Sequence, residues 1–150
     1  MANQVITKGF QPTGVMYGTM PFSVLVGNST AVFDGDVIDM ESDGGVSPAA
    51  AASTQIIGAA VGATTADYAA KSLLAASTAG TILCTWHKDQ EYLAQADSGG
   101  AVVGVQTQIG NNADHIAGAG STVTGWSGHE IDISTAASTA EGFRLLDFVL

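Results

Sequence analysis

The sequence predicts an all-β fold, an antiparallel β-sandwich or barrel that carries an extended N-terminal arm and at most one short helix. Three observations predict this class. Short apolar runs recur along the chain between Gly, Asn and Asp residues, which is typical of strands joined by tight turns. Gly, Ala, Ser and Thr make up 70 of the 150 residues, so the side chains are small and turns are frequent. Only one segment has a composition that favours a helix.

The first 21 residues predict the extended arm, and residues 22–150 predict a single β-domain. Pro12 and Pro21 stand in this first segment, with glycines between isolated apolar residues. Phe10 and Tyr17 are unfavourable to leave in water. We therefore expect the arm to be docked against another surface. A chain of 150 residues is long enough to bury one core without disulfides.

Several segments of residues 22–150 have the pattern of strands. They are short, rich in apolar and β-branched residues, and bounded by turn residues: 22–26, 31–33, 36–41, 55–63, 101–110 and 142–150. Residues 44–54 are of low complexity and predict a surface loop. Residues 66–76 have high helix propensity with Thr65 as a possible cap, and either a short helix or a loop fits there.

A hairpin is predicted from residues 81–87, a polar turn at 88–90 and a second strand at 91–96. Alternation with period 2 places Ile82, Cys84 and Trp86 on one face of the first strand. We therefore expect Cys84, the single cysteine of the chain, to be an unreactive core residue. No intrachain disulfide can form.

The glycine-rich stretch 116–132 resembles a phosphate-binding loop in composition but fails as one. Its glycines at 120 and 125 have P-loop spacing, yet Trp126 stands where the phosphate-binding lysine is required. A dinucleotide fingerprint lacks its third glycine and the flanking βαβ unit. We predict instead two tight turns around a short Thr-Val-Thr strand at 122–124. Gly120, Gly125 and Gly128 would then supply backbone angles that other residues resist.

Neither metal chemistry nor catalysis is predicted. Five carboxylates between positions 34 and 43 carry the charge of a calcium loop but not its spacing, so a solvated strand face competes with a weak cation site: Asp34, Asp36, Asp39, Glu41 and Asp43. A zinc site from Cys84, His87, His115 and His129 has ligand spacing only between Cys84 and His87, and these two point to opposite faces of the strand. Ser-His-Asp triads can be drawn in so Ser-rich a chain, but no nucleophile elbow is present. We expect no catalytic, cofactor-binding or metal-binding residues, and no enzyme.

The charge balance argues against nucleic acid and anionic membranes as partners. The chain has 14 acidic and 4 basic residues, with a formal net charge of −10. Binding to phosphates requires clustered Lys and Arg, whereas Lys8, Lys71, Lys88 and Arg144 are scattered. No apolar stretch reaches the roughly 18 residues that a membrane helix requires.

The order of elements from about residue 80 resembles a family of tailed-bacteriophage capsid cement, or head decoration, proteins. The matching segments are turn and strand patterns: Gly-Thr-Ile-Leu-Cys at 80–84, residues 89–95, the glycine-rich segment 112–125, Ser-Gly-His-Glu-Ile-Asp at 127–132, and the terminal strand that begins at Arg144. The N-terminal half is similar in character more than in residues.

The resemblance implies a non-enzymatic virion protein on the outer surface of an icosahedral head. Such a protein would be a homotrimer that binds the major capsid protein and stabilises contacts between capsid subunits. Its N-terminal arm would lie along the capsid or a neighbouring subunit. The alternative is a carbohydrate- or receptor-binding β-domain of a phage spike or fibre. That alternative predicts that Trp86, Trp126 or Tyr92 are exposed together as a sugar platform.

Overall fold

A computed structural model describes residues 8–51, 53–63, 72–97, 106–137 and 142–147. The described residues form an all-β fold of antiparallel sheets, as predicted. The strands are β1 (Gln11–Thr13), β2 (Thr19–Val24), β3 (Val37–Met40), β4 (Val46–Pro48), β5 (Ile56–Ala63), β6 (Gly80–Thr85), β7 (Glu91–Leu93), β8 (Asn112–Ile116), β9 (Glu130–Ala137) and β10 (Phe143–Arg144). A short 3-10 turn covers Gln106–Gln108.

The largest sheet has five strands in the order β2-β6-β5-β3-β4 and curls around one core. Register shifts interrupt the β3–β5 and β5–β6 ladders, and such irregularities bend and twist a sheet. The two edges approach each other, because Leu25 after β2 packs against Gly45 before β4. The enclosed core consists of small and medium apolar side chains: Val24, Val32, Ile38, Val46, Ala60, Leu74, Ile82 and Cys84.

A second core lies between the five-stranded sheet and a three-stranded sheet of order β10-β8-β9. Strand β3 contributes to both cores, since Val37 belongs to the second core and Ile38 to the first. Neighbouring residues of a strand point to opposite faces. Ala59 and Ala60 of β5 divide in the same way. The middle of the large sheet is therefore buried on both faces, as in a sandwich.

The segment predicted as an arm is in large part integrated into this fold. Strand β1 pairs with β7, and Phe10 is only 1% exposed, with its ring stacked on Phe143 at 4.5 Å. The Phe10 amide donates to the Gly35 carbonyl oxygen at 2.8 Å. Residues 8–13 are thus docked on their own domain, and exposed residues 14–18 connect them to β2. Residues 1–7 lie outside the described part of the chain.

The predicted hairpin of residues 81–96 is wrong in its pairing. Strand β6 pairs with β2 and β5, whereas β7 pairs with β1. The reason lies in buried Gln90, whose side-chain amide donates to the Thr13 carbonyl oxygen and accepts the Tyr17 N–H. These bonds hold β7 beside the N-terminal segment. The predicted faces hold for Ile82 and Cys84, which are fully buried, but Trp86 leaves the strand and is 47% exposed.

Three local predictions also need correction. Residues 44–54 contain strand β4, which is hydrogen-bonded to β3. Residues 122–124 form an exposed turn in place of the predicted strand. Of the predicted strand 101–110, the described residues 106–108 form the 3-10 turn; residues 101–105 lie outside the described part.

The possible helix at residues 66–76 is not present in residues 72–76, the part of that segment that the structure describes. Its residues 72–76 are extended or in a turn, and Leu74 forms a β-bridge with Val32; Thr65 and residues 66–71 lie outside the described part. The C-terminal strand is present as β10, with Phe143 and Leu145 packed into the second core while Arg144 and Leu146 are exposed. Residues 148–150 lie outside the described part.

Candidate functional site

An exposed aromatic patch lies where β2 begins and β6 ends. We use this name for Met16, Tyr17, Met20, Trp86 and His87. The β2–β6 register pairs Thr19 with Thr85. Tyr17 lies two residues before Thr19, and His87 lies two residues after Thr85, so the two side chains meet beyond the end of the ladder. Their rings stack at 4.3 Å, and the Trp86 ring meets His87 edge-on at 5.7 Å.

The patch is apolar and open to solvent, yet its backbone is anchored. Its two methionines, Tyr17 and Trp86 are all exposed, and Val15 beside them is exposed as well. Gln90 holds the Tyr17 amide at 3.3 Å from its Oε1. The Tyr17, His87 and Trp86 rings are in contact with one another through His87, and exposed apolar groups that lie together mark an interaction surface. The geometry therefore presents a preformed contact surface.

A second feature is a buried group of titratable side chains, which we call the acid–histidine cluster: Asp36, His115 and His129. Asp36 precedes β3, His115 lies on β8, and His129 precedes β9. All three are buried. The two imidazole rings stack at 5.4 Å, and His129 Nε2 lies 3.7 Å from Asp36 Oδ1. The cluster therefore sits between the two sheets.

The hydrogen bonds of the cluster fix its protonation pattern. The Val37 N–H donates to His129 Nδ1 at 3.2 Å, so the proton of the neutral His129 ring is on Nε2, which faces Asp36. His115 Nε2 lies 3.3 Å from the Ala49 carbonyl oxygen and donates to it. Asp36 Oδ2 accepts the Phe33 N–H at 2.8 Å, whereas Asp36 Oδ1 and His115 Nδ1 have no hydrogen-bond partner.

Burial shifts all three pKa values toward the neutral forms. Burial raises the pKa of Asp36 to about 6, against the opposing effect of hydrogen bonds from Ser127 and Phe33. Burial, with a smaller contribution from His115, lowers the pKa of His129 to about 4. The pKa of His115 is also lowered by burial. Near neutral pH the cluster therefore holds one ionised carboxylate and two neutral imidazoles.

Ser127, His129 and Asp36 bring the residue types of a catalytic triad together, but in the wrong arrangement. In a triad the acid orients one imidazole nitrogen while the other faces the serine. Here Nδ1 accepts the Val37 N–H and Nε2 faces Asp36. The Ser127 hydroxyl accepts the backbone N–H of His129 and is buried. This arrangement cannot activate a serine.

A cavity of about 480 Å³ opens beside the cluster, and Asp36 and His129 line it. Its other walls are mostly small side chains, among them Ala31, Ala49, Ala50, Ala117, Gly118, Ala119 and Gly120. The glycine-rich stretch therefore forms a cavity wall. Of the glycines assigned to special backbone angles, Gly125 has a positive φ of 82°.

Gly120 and Gly128 are required for a different reason than predicted. A Cβ atom at Gly120 would lie 2.1 Å from the Phe33 ring, and one at Gly128 would lie 2.2 Å from the Ala119 carbonyl oxygen. Close approach, rather than a left-handed backbone, excludes side chains there.

The carboxylates predicted as a possible cation site do not converge. Asp34 and Asp36 lie at the turn before β3, and burial raises the pKa of both. Asp39 accepts a hydrogen bond from Ser53, Glu41 accepts one from Ser47, and Asp43 accepts the Gly45 N–H.

The zinc candidates separate into different places. His115 and His129 are in the acid–histidine cluster, Cys84 is in the first core, and His87 is in the aromatic patch. Across residues 8–51, 53–63, 72–97, 106–137 and 142–147, no three His, Cys, Asp or Glu side chains are grouped to hold a metal ion. Nor does this part of the chain contain a helix long and apolar enough to cross a membrane.

The aromatic residues proposed as a sugar platform are not exposed together. Trp86 is exposed, whereas Trp126 and Tyr92 are half-buried. Lys8 Nζ covers the Trp126 ring at 4.4 Å, and the Tyr92 hydroxyl is hydrogen-bonded to Thr85. Trp86 and the exposed Tyr17 both contact the His87 ring.

Comparison with known proteins adds no relative. No protein-family model matches the chain, and no match was found among curated proteins or among solved structures.

Proposed function

We propose that this chain is a non-enzymatic structural protein of a phage virion, a cement protein on the outer surface of an icosahedral capsid. It would bind the major capsid protein as a homotrimer and stabilise contacts between neighbouring capsid subunits. The observation that carries the proposal is the aromatic patch. Its exposed methionines and aromatic rings suit burial against another protein.

The surrounding sequence supports a protein partner over other classes. A net charge of −10 disfavours nucleic acid and anionic lipid surfaces. The resemblance of residues 80–149 to capsid cement proteins supports the virion location. The Ser127–His129–Asp36 arrangement supports a non-enzymatic role, because neither imidazole nitrogen faces the hydroxyl.

Co-sedimentation with phage heads assembled without this chain tests the proposal. The purified chain should bind such heads, and Trp86→Ala should weaken binding at least ten-fold, since large aromatic anchors dominate interfaces. Leu146→Ala is the matched control, because it removes a comparably exposed apolar side chain outside the patch. Light scattering on the free chain reports the trimer. Failure of the unmodified chain to bind heads would end the capsid role.

The alternative, a carbohydrate-binding domain, is supported by the exposed Trp86 ring beside the Tyr17–His87 stack. Sugars bind by stacking on exposed aromatic faces. A glycan array separates the two proposals. Glycan binding that Trp86→Ala abolishes, together with no binding to heads, would favour the carbohydrate-binding domain.

A further inference from the structure

We propose that the cavity beside Asp36 is a socket for a lysine or arginine side chain carried by a partner protein. Asp36 would accept the cation at its floor, and the small side chains of the walls would contact the aliphatic stem. This inference goes beyond the capsid role and does not depend on it, because it concerns the chemistry that any partner must present.

Asp36 has a carboxylate oxygen without a hydrogen-bond partner. Asp36 is 1% exposed, and its Oδ1 makes no hydrogen bond. The His129 Nε2 atom at 3.7 Å is too distant to donate one. Hydrogen bonds from Phe33 and Ser127 stabilise the carboxylate in part, but a buried negative charge without a cation beside it remains unfavourable. The free oxygen therefore defines what a ligand must supply.

No Lys or Arg among the described residues forms an ion pair with Asp36. Lys8 covers the Trp126 ring, Lys88 Nζ is paired with Asp89 at 2.8 Å, and Arg144 is exposed on β10. His129 is neutral near pH 7, because burial lowers its pKa to about 4. Asp34, whose charge raises the pKa of Asp36, adds negative potential. Asp36 therefore favours a basic group that none of these described residues supplies; Lys71 lies outside the described part of the chain.

The size and lining of the cavity suit a long side chain. Its volume of about 480 Å³ leaves room for a long side chain. The walls contributed by the glycine-rich stretch, Ala117, Gly118, Ala119 and Gly120, carry at most a methyl group each. Lys and Arg bury their methylene stems against apolar surfaces while the charged head finds a polar partner. The lining suits such a stem and the floor suits its charge.

NMR titration of the full chain near pH 7.5 tests the socket with N-acetyl-arginine methylamide and N-acetyl-lysine methylamide as probes. We expect shifts in the amide resonances of Gly118, Gly120 and His129. N-acetyl-citrulline methylamide is the neutral isostere of the arginine probe and should bind at least ten-fold more weakly. Asp36→Asn should weaken the cationic probes to the same extent. Asp43→Asn, which removes an exposed carboxylate elsewhere, should not.

A pH arm keeps the test valid if Asp36→Asn fails to fold. Protonating Asp36, whose pKa is about 6, removes its charge. The unmodified chain should therefore bind the cationic probes roughly ten-fold more weakly one pH unit below that pKa than it does at about pH 7.5. Asp34, His115 and His129 are the other titratable groups beside Asp36. His129 stays largely neutral at pH 5, because burial lowers its pKa to about 4, and burial lowers the pKa of His115 as well. Equal binding of arginine and citrulline probes, or no shift with any probe, would overturn the socket.

Discussion

The pH dependence of unfolding is the measurement that depends most directly on the acid–histidine cluster, and Asp36→Asn is the change that reveals it. Burial raises the pKa of Asp36 from 3.8 in the unfolded chain to about 6 in the folded one. The folded state therefore binds this proton more tightly. The resulting stabilisation is complete below pH 3.8 and is lost as the pH rises to about 6; it amounts to about 3 kcal/mol.

His129 has the opposite dependence. Burial lowers its pKa from 6.5 to about 4, so the unfolded chain binds the proton more tightly. The stabilisation is complete above pH 6.5 and is lost as the pH falls to about 4; it is again about 3 kcal/mol. Between pH 4 and 6 the two contributions nearly cancel, because the folded state protonates Asp36 where the unfolded state protonates His129.

Asp36→Asn and His129→Gln should therefore change the slope of the unfolding free energy against pH in opposite directions. Relative to the unmodified chain, Asp36→Asn should lose about 2 kcal/mol of unfolding free energy as the pH falls from 6 to 4, which is most of the full effect. His129→Gln should lose a similar amount as the pH rises over the same range. Urea unfolding followed by tryptophan fluorescence at several pH values between 4 and 7 gives these free energies.

Differences between variants isolate the cluster from the other carboxylates. His115, whose pKa is also lowered by burial, is present in every variant. Asp43→Asn removes one exposed carboxylate and should run parallel to the unmodified chain. The reasoning would be refuted if the Asp36→Asn and His129→Gln curves both ran parallel to that control.

Three further measurements test the packing. Phe10→Ala should destabilise the fold by about 3 to 5 kcal/mol in urea unfolding, because its ring is enclosed in the second core; a value below about 1 kcal/mol would show that residues 8–13 are not docked. Gly118→Ala should cost at least about 2 kcal/mol, since its Cβ would lie 2.0 Å from the Gly128 carbonyl oxygen, whereas Gly27→Ala has open space and should change stability by less than about 1 kcal/mol. Cys84 should react with a thiol reagent only on unfolding, as burial raises its pKa to about 12; rapid labelling of the native chain would contradict this.

The sequence predicted which faces of the strands are buried far better than which strands pair. Alternation places Ile82 and Cys84 inside, and both are buried. Period 2 is a local property, so one strand suffices to read it. Pairing is non-local: the turn at residues 88–90 fits a hairpin, yet Gln90 binds the N-terminal segment instead.

The acid–histidine cluster was missed because composition describes Asp36 as one of several surface carboxylates. The local signal was present in the Phe33-Asp-Gly-Asp36 turn, where an aspartate can accept a backbone N–H three residues before it. What the sequence could not provide is the approach of His129, 93 positions further along the chain. Only the packing of β9 over β3 brings that imidazole to the carboxylate.

The aromatic patch and the cavity lie at opposite ends of a single row across the large sheet. Met20 pairs with Cys84, Cys84 with Ala60, and the Ala60 N–H donates to the Asp36 carbonyl oxygen at 2.9 Å. Three strand spacings separate the ends, or about 14 Å. Substitutions so far apart, with no shared partner, should act additively. A hydrogen-bonded sheet fixes the two surfaces relative to each other. If both proposed partners bind, one chain would hold them at a set spacing, which is the property that the proposed bridging of capsid subunits requires.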